Sequence, residues 1–377
     1  MKVAIGIGEP SGDLIASSLI NHFKNKNPKI NFIGITGPKC LKEGLKSDFN
    51  ISSLSVNGFF DVLKNYYSLW KFRNNFLHYL HKEKPDIYIG IDAPDFNFFI
   101  EKNLKKRGVK VFHYVCPSIW AWRKNRYKNF HKTFNHLFYI FNHEKNLLNK
   151  LNISSTFVGH PVASFKTINA TKINSKNKLK QNLNTKIISL LPGSRESEIK
   201  NNLPILFLTA IEINKKIKNL TFLIPILNKD TVYAINKLKR EYGLSNINAI
   251  IGHSHDVLNS SDFAIIASGT ATLEAAFMKI PMIIIYKLSF FSYHFLKHFL
   301  KIKFIGLPNI LLNRSFVPEY YKNIEPKIVA AKTIELLNDK EYLIKLKSTF
   351  TDLHKKHKLD TNQIIYKFIF TNDTGRN

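Results

Sequence analysis

Short apolar stretches rich in Ile and Val alternate with longer stretches of helical character, and the alternation runs through both halves of the chain. In the first half the pattern predicts strands at 1–8, 30–35, 86–91, 109–115, 137–141 and 156–158, and in the second at 186–191, 221–227, 247–251, 263–267 and 281–286. Strands separated by helices cannot pair as hairpins, so each set is expected to form a parallel sheet covered by helices. Between the sets, 167–185 is rich in Asn, Lys, Ser and Thr, poor in apolar residues, and reads as a linker with a short helix. The expected domains are therefore 1–166 and 186–344, joined by 167–185, with 345–377 packing back on the first. No internal repeat is visible, and 377 residues suffice for two cores. The architecture this implies is α/β: two doubly wound domains facing each other across a cleft.

Composition removes several function classes. Lys and Arg number 56 against 27 Asp and Glu, a net charge of +29. Such an excess raises nucleic acid, anionic membrane and anionic substrate as partners. Here it is spread along the chain, is mostly Lys, and accompanies abundant Asn and Ile, so part of it is compositional drift. No nucleic-acid motif or clustered basic stripe is present, and nucleic acid is not an expected partner. Cys40 and Cys116 stand far apart, which argues against a disulfide framework or structural zinc and fits the cytosol. Residues 1–8 read as a strand and not as a signal peptide, and no apolar run approaches the ~20 residues of a membrane span. A soluble or peripheral protein is expected.

Two segments look built for anions. Asp262 to Glu274 reads as a buried strand, a Ser268-Gly269-Thr270 turn and a helix start. The first N–H groups of that helix and its dipole, about half a charge, can hold a diphosphate without metal, and Glu274 can accept hydrogen bonds from ribose hydroxyls. An ordinary junction capped by Thr270 is the alternative. Lys186 to Arg195 repeats the shape, with Ser194 and Arg195 at its mouth. A forked guanidinium neutralises diphosphate as a Lys cannot, although a surface pair with Glu198 also fits the spacing. In a doubly wound domain both turns lie outside the carboxyl ends of the strands, where ligands bind. The glycines at 6, 8 and 12 miss the dinucleotide spacing, so NAD is not expected.

Asp92, in Ile91-Asp92-Ala93-Pro94-Asp95-Phe96-Asn97, stands at the carboxyl end of a strand, either as a catalytic carboxylate or as an Asx-turn residue. Asp95 is expected to cap a helix running from Phe96 onward.

These blocks occur in one order: Gly8-Glu9-Pro10-Ser11-Gly12-Asp13, Gly37-Pro38, Ile91 to Asn97, His113 to Arg123 with its Trp120-Ala121-Trp122-Arg123, Val158-Gly159-His160-Pro161, Leu191 to Arg195, Ala267 to Glu274, and Leu307-Pro308-Asn309. In that order the chain resembles the lipid-A-disaccharide synthases from about residue 3 to residue 338. Cys116, Asn142-His143-Glu144, Asn57-Gly58 and Tyr320-Tyr321-Lys322 depart from the family pattern.

The resemblance implies a GT-B fold of two Rossmann-like domains. It also implies inverting transfer from UDP-diacylglucosamine to diacylglucosamine 1-phosphate in lipid A biosynthesis. On that basis Asp92 and Glu9 are the expected catalytic residues, Asp92 as the carboxylate and Glu9 lining the cleft. Arg195 and Asn309 are expected UDP-sugar contacts, joined by Ser194, Gly269, Thr270 and Glu274. Ser11, Trp122, Arg123 and Arg126 are candidates for the acceptor phosphate or lipid headgroups, although Arg123 to Arg126 also reads as a solvated face. No Asp-x-Asp motif occurs, and neither a metal nor a cofactor is expected. The stretch 288–304 sets Lys297, Lys301 and Lys303 among Phe and Leu, as a core-facing helix or as one lying on the anionic inner-membrane surface. Cytoplasmic, peripheral membrane association is expected, and a homodimer is left open. A transferase acting on soluble UDP-GlcNAc is the alternative.

Overall fold

A computed structural model describes residues 1–54, 59–117, 130–226, 229–287, 303–321 and 323–371, with backbone only at 54, 59–66, 229 and 230. The chain divides into two compact units, Met1–Pro161 with His357–Asn377, and Val162–Lys356.

The first unit holds a six-stranded parallel sheet: β1 (Lys2–Ile7), β2 (Asn31–Gly34), β3 (Ile87–Ile91), β4 (Lys110–Tyr114), β5 (His136–Tyr139) and β6 (Ser155–Phe157), in the order β2-β1-β3-β4-β5-β6. Strands covered on both faces need apolar side chains on both, which is why β1 and β3 read as continuous apolar runs and not as alternations. Val3, Ile5, Ile7, Ile89 and Ile91 are fully buried. The chain lays β2 on one side of β1 and β3 on the other. This reversal creates a switch point between β1 and β3, with Ile7 paired to Ile91 at its end.

The C-terminal helix Thr361–Phe370 belongs to this unit. Asp360 caps it by accepting the Gln363 N–H, Ile365 and Ile369 enter the core, and Tyr366 and Phe370 set ring edges on Phe23 at 5.3 Å each. Asn362 donates to Ser18 Oγ at 2.9 Å.

The second unit repeats the plan with β7 (Lys186–Leu191), β8 (Leu220–Ile226), β9 (Ile247–Ile251), β10 (Phe263–Ala267), β11 (Met282–Ile285) and β12 (Glu319–Tyr320), in the order β12-β11-β10-β7-β8-β9. Its switch point lies between β7 and β10, where Leu191 pairs with Ile266. The core joins Ile188, Leu190, Phe207, Phe222, Ile265 and Ile283. Residues 167–185 fall inside this unit, and Thr171 caps the helix Lys172–Lys178 by accepting the Asn174 N–H. Among the described residues no helix is long and apolar enough to cross a membrane.

Candidate active site

Because Ile7 and Ile91 are paired, the chain leaves β1 and β3 side by side, bringing the Glu9 and Asp92 loops together. A Cβ on Gly8 would stand 2.4 Å from the Ala93 Cβ, so only glycine permits this approach. Glu9 is exposed at the N-cap of the helix Pro10–Lys26, and Ser11 is half-buried in its first turn. Asp13, buried one turn on, accepts the backbone N–H groups of Lys39 and Cys40 at 2.9 and 3.0 Å, placing a carboxylate on the N-terminus of the helix Pro38–Lys42. The sequence reading singled out the loop and Gly37-Pro38 separately. Asp13 is the residue that joins them.

Asp92 and Ala93 have φ of 53° and 44°, both in the left-handed region. Side chains with a Cβ adopt it at a cost of order 1–3 kcal/mol each, so the surroundings must enforce it. The Asp92 N–H donates to the Tyr114 carbonyl at 2.9 Å, and the Asp92 carbonyl accepts the Asn97 amide at 2.7 Å. Asn97 is fully buried, and the Tyr88 hydroxyl donates to its Oδ1 at 2.7 Å. The helix starts at Pro94 with Ala93 as its N-cap, so Asp95 lies in the first turn and does not cap a helix from Phe96. Pro94 has the fixed φ a first helical position wants, and the left-handed pair before it makes the turn. Asp92 itself is half-buried at the rim.

The next strands along the sheet deliver neutral groups. Burial pushes the Glu144 carboxyl up to about 8 and the His160 imidazole down to about 3. It also raises the Cys116 thiol well above its ordinary value. Near pH 7 burial therefore favours the neutral forms of Glu144, His160 and Cys116 on this side of the rim. Trp122, Arg123 and Arg126 lie outside the described residues, as do Asn57, Lys322 and 288–302.

In the second unit, β7 runs into Pro192-Gly193-Ser194-Arg195 and then the helix Glu196–Asn214. Gly193 has φ 110°, and its missing side chain makes room for Glu198, whose carboxylate accepts the N–H groups of Ser194 and Arg195 at 3.0 and 3.3 Å. The Arg195 guanidinium, exposed at the mouth of the turn, holds Glu198 Oε1 through Nη1 at 3.1 Å, so the surface pair anticipated as an alternative does form.

On the neighbouring strand, β10 passes through Ser268 to Gly269, the extended N-cap of the helix Thr270–Phe277. Thr270 is the first helical residue and not the cap. Among the described residues nothing lies within 4 Å of the position a Gly269 Cβ would take, so this helix start opens onto free space. Glu274 sits one turn in, half-buried, its Oε2 3.4 Å from His255 Nε2. Ser194, Arg195, Gly269 and Thr270 thus converge at one switch point, with Glu274 beside them.

Asn309 stands apart from them. It is fully buried in the helix Leu307–Leu312, donating to the Val317 carbonyl and Glu319 Oε1 at 2.7 Å each, while its Oδ1 accepts the N–H groups of Phe316 and Val317 at 2.9 and 2.8 Å. All four bonds of the amide are used inside the unit, so in this structure the Asn309 side chain is engaged in holding the loop around it. What it positions is close to the site. Glu319 accepts the Ile305 and Gly306 N–H groups at 2.9 Å each, and the Ser268 hydroxyl donates to the Ile305 carbonyl at 2.7 Å. The sequence reading missed Glu319, because a two-residue strand leaves no periodic signal.

A recess of about 1070 Å³ lined by Met1, His81, Asp86, Arg107 and Lys110 lies at the opposite, amino end of the first sheet. Among the described residues no three His, Cys, Asp or Glu side chains are grouped to hold a metal.

Residues 3–369 match the family described as lipid-A-disaccharide synthetase. The lipid-A-disaccharide synthases of Methylobacillus flagellatus and Dechloromonas aromatica are 34% and 37% identical over 365 residues, covering 96% of this chain and 96% of each relative. Among solved structures, the UDP-GlcNAc 2-epimerase of Neisseria meningitidis bound to UDP-GlcNAc superposes with a TM-score of 0.67 at 14% identity, covering 98% of this chain and 100% of that one. The glycosyltransferase of kitacinnamycin gives 0.64 at 11% identity, covering 97% and 98%. At such identities these two likenesses carry the fold alone, two Rossmann-like α/β domains.

Proposed function

The chain belongs to the lipid-A-disaccharide synthetase family, and from that premise we propose how its two switch points divide the reaction. The enzyme is a hexosyltransferase that moves diacylglucosamine from UDP-diacylglucosamine to diacylglucosamine 1-phosphate, releasing UDP. It inverts the anomeric carbon and forms the β-1,6-linked disaccharide 1-phosphate.

In our reading the second unit holds the UDP end. The observation that carries this is the convergence of two turns from paired strands, one a helix start open to solvent and the other carrying an exposed guanidinium. Backbone N–H groups, the helix dipole and Arg195 would together meet the charge that develops on the departing diphosphate, the kind of electrostatic contribution that dominates in a dry site. Glu274 would take the ribose hydroxyls. UDP is a good leaving group once its charge is met, so a single base suffices, whereas a glycosidase needs two carboxyl groups. Asp92 is that base, acting on the acceptor hydroxyl from the first unit. Glu9 and Ser11, on the loop beside it, face the acceptor.

Both substrates carry acyl chains, and the chain is strongly basic. We therefore place the enzyme at the anionic, cytoplasmic surface of the inner membrane as a peripheral protein. Trp122, Arg123, Arg126 and the run at 288–304 would supply headgroup and acyl contacts.

Two results test the electrostatic part. Transfer should persist in excess chelator; loss of most activity, restored by magnesium or manganese, would contradict it. Arg195→Lys should weaken UDP-sugar binding by about tenfold despite the retained charge, because an ammonium cannot fork across two oxygens. Titration calorimetry checks this, and near-normal affinity would contradict it.

A further inference from the structure

His255 lies in the first turn of the helix Ser254–Ser260, and its two ring nitrogens meet different partners. Nδ1 is 2.6 Å from the Thr167 hydroxyl, and Nε2 is 3.4 Å from Glu274 Oε2. An ionised carboxylate only accepts hydrogen bonds, so the tautomer that favours this 3.4 Å contact carries its proton on Nε2. In the neutral imidazole Nδ1 is then an acceptor, and the Thr167 hydroxyl donates to it. Thr167 is itself fixed, because its carbonyl accepts the Asn259 amide at 2.6 Å. The imidazole is 16% exposed and Glu274 14%, so the pair is shielded without being sealed. A contact of 3.4 Å orients a carboxylate without saturating it, since two oxygens offer about four acceptor sites. Thr167 lies in the turn Lys166–Asn169, just past the boundary between the units at Pro161–Val162.

We infer that His255 is a positioning residue for the nucleotide: it aims the Glu274 carboxylate at the ribose hydroxyls and ties it, through Thr167, to the segment by which the chain enters the second unit. This rests on the reading of Glu274 as the ribose carboxylate. A histidine that merely filled space would affect every ligand of the unit alike. One that acts through Glu274 affects only ligands that bear ribose hydroxyls.

The test compares UDP with 2′,3′-dideoxy-UDP, titrated calorimetrically into the full-length protein and its variants, with a melting curve for each. Wild type should prefer UDP by about tenfold, the worth of a hydrogen-bonded pair of hydroxyls. Glu274→Ala should abolish the preference. His255→Ala should reduce it several-fold by weakening UDP while leaving dideoxy-UDP unchanged, and should raise KM for the UDP-sugar with kcat at saturation nearly retained. His255→Gln, whose amide can donate to the same carboxylate, should restore most of the preference. Equal weakening of both nucleotides by His255→Ala, no weakening of either, or a Gln variant no better than Ala would overturn the proposal. A preference that survives Glu274→Ala would show instead that the ribose reading is wrong, and the inference would fall with it. Should His255→Ala melt early, the Gln variant and Thr167→Val, expected to lose part of the same preference, carry the decision.

Discussion

Asp92→Asn is expected to lower turnover at saturating substrates by at least about a hundredfold, within the range a general base contributes, while leaving UDP affinity nearly intact. The substitution is clean for a structural reason. Asp92 has φ 53°, a left-handed conformation that Asn tolerates as well as Asp, and its backbone bonds to Tyr114 and Asn97 do not involve the side chain that changes. The loop backbone should therefore stay in place while the carboxylate becomes an amide. UDP binding should persist because its proposed receptors lie on the other unit. A variant that keeps more than about a tenth of the wild-type rate, a loss near 1.4 kcal/mol, would remove Asp92 as the base.

Asn309→Asp is expected to destabilise the second unit by about 3–5 kcal/mol, the cost of burying a charge without its partners. The Asn309 amide donates to the Val317 carbonyl and to Glu319 Oε1, and a carboxylate there would face two acceptors, one of them acidic. Loss of this tie should also loosen the Ile305–Gly306 turn that Ser268 leans on, so UDP binding should weaken together with stability. If Asn309 instead touches the nucleotide, the melting temperature would hold and only affinity would fall. A melting curve beside a UDP titration separates the two roles.

What was legible in the sequence follows from how each feature is encoded. The long buried strands were readable because a parallel sheet covered on both faces forces unbroken apolar runs, as in Ile87–Ile91 and Phe263–Ala267. The two strand–turn–helix junctions were readable because Gly193 and Gly269 sit where strand becomes helix. β12 was not, since Glu319–Tyr320 is a strand only through its pairing with Ile284 and Ile285. The start of the helix after β3 was misplaced by two residues because Asp95 is a common cap, while the actual boundary is set by left-handed backbone at Asp92 and Ala93, which sequence pattern does not reveal.

Among the proposed site residues, Asp92, Arg195 and Glu274 announce themselves by type and position. Their supports do not. Asn97, Asp13, Glu319 and His255 act through partners distant in the chain, as far as 88 residues for His255 and Thr167, and each looks ordinary until the fold brings the pair together. Asn309 shows the converse. The resemblance implies a ligand contact there, while the hydrogen bonds that hold its side chain in the loop come into view only with the fold.

The central claim is inverting transfer of an acylated sugar from UDP to a lipid acceptor by one carboxylate without metal. Its most direct test is the product formed by purified protein given UDP-diacylglucosamine and diacylglucosamine 1-phosphate in excess chelator. The account predicts UDP and disaccharide 1-phosphate in equal amounts, with the new 1,6 linkage entirely β, and no comparable turnover with UDP-GlcNAc as donor. An α linkage, UDP release at the same rate without acceptor, or equal use of UDP-GlcNAc would contradict it.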